Sequence, residues 1–248
     1  MRRWTANACP LAVLVVVGVS LGLGCAGLVV SRGLQFDYFE LPKPADEWSS
    51  KIASWQWREL AEPVVVLAGL QSARHAASAA FPPSAAKDVA LGATSTVPDL
   101  REKYSRYLAE RKYRVARDFA SWVQEQAKVH YVADGPIDQW ATLAQTLRAN
   151  GDDCDGLELL SFQGLRELGF RDDEVFRAIV FRPSDGQHHM VTLWFEKQDD
   201  PWVIDPTGAM TAGMPRMSEL PNWVPLKVFS ETVEFTVRAG TAQFAVNR

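Results

Sequence analysis

Residues 175–205 read "VFRAIVFRPSDGQHHMVTLWFEKQDDPWVID". Three runs rich in β-branched and aromatic residues, 175–181, 188–195 and 202–205, are separated by "RPSDG" and "EKQDD", both of turn composition. Short turns join antiparallel neighbours, so the stretch predicts adjacent antiparallel strands. "PLKVFSETVEFTV" (225–237) supplies one or two more. Upstream the period changes. Leu100, Tyr104, Tyr107, Leu108, Val115, Phe119, Trp122 and Val123 recur near 3.6 residues, as one long helix or two in succession. A short helix carrying Trp140 is expected over Ile137–Leu147. Another follows Cys154, with Leu157, Leu160, Leu165 and Leu168 on one face and Gly169 as its stop. Helices first and antiparallel strands afterwards make the chain α+β, with helices packed on an antiparallel sheet.

The strands carry the chemistry. His188 and His189 open the second strand, and alternation places them on opposite faces. His189 shares its face with Val191, Leu193 and Phe195. This purely apolar set is expected to face the helix, which would point His189 at Cys154. Asp205 ends the next strand on the face of Val203. The start of one strand of a hairpin lies beside the end of the next, so His189 and Asp205 are expected to be neighbours. Asp205 also precedes proline, a turn signal compatible with that role. His75 and His130 sit among polar neighbours and read as surface residues.

Cys154 lies in "GDDCDG" (151–156). A cysteine at a helix start meets the positive end of the macrodipole, which favours thiolate, while Asp153 and Asp155 oppose it. Cysteine hydrolases need an imidazole to take the thiol proton and a third group to orient it. Cys154, His189 and Asp205 form that set. The Cys154 backbone N–H and the Gln139 side chain are the candidate oxyanion donors.

The chain has 248 residues and a formal charge of −4, without the basic excess a phosphate backbone would demand, which excludes nucleic acid as a partner. Residues 11–30, "LAVLVVVGVSLGLGCAGLVV", carry no charge. Twenty helical residues span about 30 Å, the thickness of a bilayer core, so a transmembrane anchor or uncleaved signal is expected. Arg2 and Arg3 leave residues 1–10 cytoplasmic and the remainder across the membrane. Lipidation at Cys25 is a third reading, but the leucines of "LGLGC" fall one position from where such a signal wants them. Residues 31–97 read as a tether over 31–45, accessory helices within 46–79 holding Trp48, Ile52, Trp55 and Trp57, and a linker over 81–98. The main domain is 98–248. Of three cysteines only Cys154 lies past the anchor, so no intrachain disulfide can staple that part.

The order of Cys helix, His strand and Asp strand end, with "DQWATLAQTLRANGDDCDG", "LRELGF", "HHMVTLWF", "WVIDPTG" and "LPNWVPLKVF", resembles the transglutaminase-like (papain-like) superfamily. It is closer to the bacterial transglutaminase-like cysteine peptidases. The resemblance runs from about Phe119 to Val228. It implies a periplasmic protease acting on a protein or peptide of the cell envelope, with Cys154, His189 and Asp205 as triad and Trp140 packed near the cysteine. It also implies Ca²⁺ held by Asp153 and Asp155, although the reaction itself requires no cofactor. Two departures bear on that site: Asp155 and Gly156 stand where the family has Glu then Asp, and "GDDC" holds one extra residue, Asp152. The expected location is the inner membrane, single-pass, with the catalytic domain in the periplasm. Acyl transfer to an amine, as in a transglutaminase, and a non-catalytic binding module are the alternative readings.

Overall fold

The computed structural model describes residues 35–62, 99–135 and 138–240. The expected anchor (11–30), cytoplasmic N-terminus (1–10) and linker (81–98) lie outside the described residues. Among the described residues no helix is long and apolar enough to cross a membrane.

Six strands form one antiparallel sheet: β1 (Phe36–Glu40), β2 (Val175–Arg182), β3 (Gln187–Trp194), β4 (Trp202–Ile204), β5 (Val224–Phe229) and β6 (Glu234–Ala239). Their order is β1-β6-β5-β2-β3-β4. The helices are α1 (Ser49–Ala61), α2 (Leu100–His130), α3 (Leu143–Ala149) and α4 (Cys154–Glu167). The expected α+β arrangement is therefore present, with two corrections to its borders. The tether expected over 31–45 is, from Phe36 to Glu40, an edge strand paired with β6. The helix expected over 137–147 starts only at Leu143. Thr142 and Gln145 fix that start by a reciprocal capping box, so Trp140 belongs to the extended approach instead.

The sheet curls. Rings of Tyr38 and Phe39 on β1 meet Phe195, just past β3, each at 5.0 Å, although β6, β5 and β2 intervene in sheet order. Two cores result. The inner one gathers Phe36, Tyr38, Phe176, Ala178, Val191, Leu193, Phe195, Val203 and Trp223. The outer one joins the other sheet face to the helices through Trp55, Leu159, Phe162, Leu165, Ile179, Met190, Trp194 and Phe229. The face of β3 that meets helix α4 is thus Met190, Thr192 and Trp194. Val191, Leu193 and Phe195, expected there, line the inside of the curl.

The helices show similar differences. α2 buries Ala116, Ala120, Val123 and Ala127, a stripe of mostly small residues that lets it lie close to α4. Leu100, Tyr104, Tyr107 and Leu108 are exposed, as is every residue of α2 up to Glu110, and Trp122 is exposed further along. α4 is buried nearly all round, and Gly169 (φ 93°) ends it as expected, while Leu168 is exposed. Trp55 is buried, and Trp57 is exposed.

One ionic contact ties α4 to the sheet. Arg177 of β2 and Glu158 of α4 are both fully buried, with Nε to Oε2 at 2.5 Å. Thr192 Oγ1 donates to Glu158 Oε1 at 2.6 Å, and Arg177 Nη2 donates to the Asp155 carbonyl at 2.8 Å. The guanidinium lies 4.3 Å from the Trp55 ring centroid. Arg177→Met would leave Glu158 buried without its cation. It is expected to cost about 3–5 kcal/mol in urea denaturation, and adding Glu158→Leu should recover much of that loss.

Candidate active site

Cys154 heads α4. Asp153 caps the helix, its carboxylate accepting the Asp155 N–H at 3.1 Å. Asp152 accepts the Asp153 N–H at 3.0 Å and the Thr146 hydroxyl at 2.9 Å. Asp153 is thus the cap, and Asp152 holds the cap residue in place. The Cys154 side chain packs on the outer core, which includes Trp140. Burial first and Asp153 second push its thiol up to about 12, while the backbone N–H of Met190 acts the other way. Met190 follows His189, so the head of α4 sits against the start of β3.

His189 is buried and its Nε2 lies 2.8 Å from Asp205 Oδ1. The expected pairing of these two side chains is present, but on the inner face of the curl, where the imidazole also meets Trp223 at 6.0 Å. Nδ1 is the ring nitrogen left for a thiol. Cys154 and His189 are not hydrogen-bonded to each other. His188 is exposed, its ring between Trp48 at 5.1 Å and Phe181 at 4.9 Å.

Asp205 is held by more than histidine. Oδ1 also accepts the Thr207 N–H and hydroxyl, at 3.0 and 3.1 Å. Oδ2 accepts the backbone N–H groups of Met210 and Thr211, at 2.6 and 3.1 Å. Burial alone would raise this carboxyl. The bonds from His189 and the two amides more than reverse that and hold it below its ordinary range. Asp205 therefore stays anionic in a buried place, accepting from both the turn that follows it and His189. Gln124 on α2, which sequence reasoning missed, braces the loop. Its Nε2 donates to the carbonyls of Asp205 (2.9 Å) and Thr211 (3.2 Å), and its Oε1 accepts the Gly213 N–H at 3.3 Å. A glutamine on a helix gives no sequence signal for such a role.

The carboxylates around Cys154 are close. Oxygens of Asp152, Asp153 and Asp155 lie within 4.8 Å of one another. Burial and Asp153 push Asp155 up to about 9, and its buried Oδ1 has no hydrogen-bond partner. Burial and Asp153 likewise push Asp134 up to about 6. An orphaned carboxylate oxygen among crowded acids is a donor set that fits a hard cation such as Ca²⁺. Asp152 and Gly156 also fit one another spatially. A Cβ on Gly156 would lie 2.0 Å from Asp152 Oδ2 and 2.5 Å from its Cβ, so Asp152 fills the space a side chain at 156 would need. Gln139 is exposed and, with Trp140 and Asp138, lines a groove against α1. Trp140 itself is buried, stacked on Phe229 at 5.7 Å and 7°.

No family model matches the chain, and no curated protein matches it. Among solved structures, calcium-bound LapG of Legionella pneumophila is similar at 13% identity and a TM-score of 0.44, covering 72% of this chain and 93% of that one. EGTA-treated LapG gives 16% and 0.43, covering 49% and 67%. A Cytophaga hutchinsonii protein assigned to the cysteine proteases gives 12% and 0.31, covering 55% and 49%. These are likenesses of overall arrangement, at TM-scores below 0.5.

The Asp152–Gly156 contact has a direct test. Gly156→Ala should cost about 1–3 kcal/mol by overpacking, read as a lowered Tm. Adding Asp152→Gly should return part of the loss, whereas independent sites would give additive losses.

Proposed function

We propose that the chain is a thiol hydrolase of the transglutaminase-like kind, a cysteine peptidase acting on a protein or peptide of the cell envelope. The observation that carries this reading is the buried His189–Asp205 pair, 2.8 Å apart, at the strand start against which the Cys154 helix is seated. Asp205 fixes the imidazole through Nε2, so Nδ1 is free to take the thiol proton. The thiolate attacks the carbonyl carbon, and the Cys154 backbone N–H, with Gln139, receives the developing oxyanion. His189 then returns its proton to the leaving amine, and water drawn by the neutral imidazole releases the acyl group. Thiol–imidazole contacts of this kind tighten once substrate is bound.

The carboxylates belong in the same reading. Asp152, Asp153 and Asp155 would hold Ca²⁺, whose charge offsets the field that keeps the thiol protonated. In the same proposal residues 11–30 anchor the chain in the inner membrane and residues past 31 lie in the periplasm. This rests on the uncharged run and on Arg2 and Arg3 before it.

Iodoacetamide labelling of Cys154, followed by mass spectrometry, tests the reading without a known substrate. His189→Ala should slow labelling near neutral pH, and His188→Ala should leave most of it. With a cleaved substrate in hand, Cys154→Ala and His189→Ala should each abolish turnover. Asp205→Asn should lower kcat by roughly 10²–10⁴ while the fold survives, because an amide favours the wrong tautomer. Labelling indifferent to His189 would instead favour a non-catalytic binding module.

Calcium gives a second handle. Calorimetry is expected to show a weak site with Kd on the order of 10⁻⁴–10⁻³ M, removed by Asp155→Ala, and labelling of Cys154 should speed up as the site fills. Submicromolar binding, or labelling unmoved by calcium and chelator alike, would contradict it.

A further inference from the structure

A groove between α1 and the segment that carries Trp140 holds two cations, in contrast to the acids around Cys154. Its wall on α1 is Lys51, Ser54 and Arg58, and its facing wall is Asp138, Gln139 and Trp140. Residues 51, 54 and 58 stand at helical spacings of three and four, so one face of α1 presents both cations together. The groove is linked to the nucleophile through the outer core. Trp140 lines the groove and also belongs to the outer core on which Cys154 packs.

The carboxylates near Cys154 are Asp134, Asp138, Asp152, Asp153 and Asp155, and a substrate acid placed directly over them would be repelled. Lys51 and Arg58 reverse that balance a short way along. Lys51 Nζ reaches Asp138 Oδ2 at 2.5 Å and lies 4.6 Å from the centre of the Trp140 ring. Its cation is thereby held over a ring that Phe229 fixes from below. Among the described residues, the Arg58 side chain makes one hydrogen bond, Nε to the Ser54 carbonyl of its own helix at 3.3 Å. A guanidinium has five N–H donors, so most of its capacity remains for another group.

We propose that this groove is a substrate subsite for an acidic side chain, an Asp or Glu of the bound peptide, recognised by Arg58 and Lys51 with the Trp140 ring as its apolar floor. This rests on the cysteine peptidase reading above and adds the class of residue selected. The peptide carboxylate pairs with Arg58, and Lys51 is shared between it and Asp138.

Peptidyl vinyl sulfones on an alanine background supply the test, with Asp, Asn or Lys placed in turn at each of four positions before the electrophile. Covalent labelling of Cys154 in the full chain is followed with calcium present. One position is expected to label roughly tenfold faster with Asp than with Asn, and slowest with Lys, the order expected of one charge-assisted hydrogen bond. Arg58→Glu with Lys51→Glu should invert that order, making Lys the fastest. Rates equal for Asp, Asn and Lys at every position, with labelling still dependent on His189, would overturn the subsite and leave the catalytic reading standing. An Asp preference undiminished in the double variant would place the selection elsewhere and also overturn it. Failure of every peptide to label Cys154 would overturn both.

Discussion

The buried contact between Glu158 and Arg177 sets where everything else in the site sits. Glu158 lies one helical turn after Cys154, and Arg177 also grips the carbonyl of Asp155, so the first turn of α4 cannot slide along the sheet without breaking a fully desolvated ion pair. Burial works against the Glu158 carboxylate, and Arg177 and Thr192 oppose it. Such a pair is a weak source of net stability but a strong determinant of register, because alternative registers leave a charge unpaired in an apolar place. Trp55 of α1 covers the guanidinium, which brings the N-terminal helix into the same arrangement.

Much of this was legible in the sequence and some was not, for physical reasons. The turn-bounded strands and the Cys, His, Asp order were readable because short turns force neighbours to pair. His189 beside Asp205 followed from that geometry alone. The face they occupy did not. In a sheet covered on both sides, alternation yields two buried faces, and the one that looks less apolar is not the solvated one. Thr192 reads as polar but is buried on the helix side because Glu158 accepts its hydroxyl. β1 was read as a tether because its partner, β6, lies at the other end of the chain and no local pattern announces the pairing. The long helix misled through its aromatic residues, since close helix packing selects alanine instead.

The electrostatics of the site divide into two zones that meet at the start of β3. On the inner side Asp205 collects its donors from a loop braced by Gln124 and remains anionic, which suits it to stabilise an imidazolium. On the outer side the carboxylates near Cys154 have fewer donors than oxygens, and the field there disfavours the thiolate. In the proposed reaction, neutralising the second zone would favour the Cys154 thiolate.

The pairing of β1 with β6 has a consequence for how the chain reaches its fold during synthesis. Phe36 lies opposite Ala239, so the first strand of the sheet waits for nearly the last before its edge is satisfied. Until β6 emerges, Lys227 on β5 lacks Glu234 and Thr236, two of the groups that accompany its buried charge. The sheet therefore closes late, by a contact of long sequence separation, which is slow to form. Until that contact forms, β5 presents an unpaired edge and a buried lysine with only part of its partners.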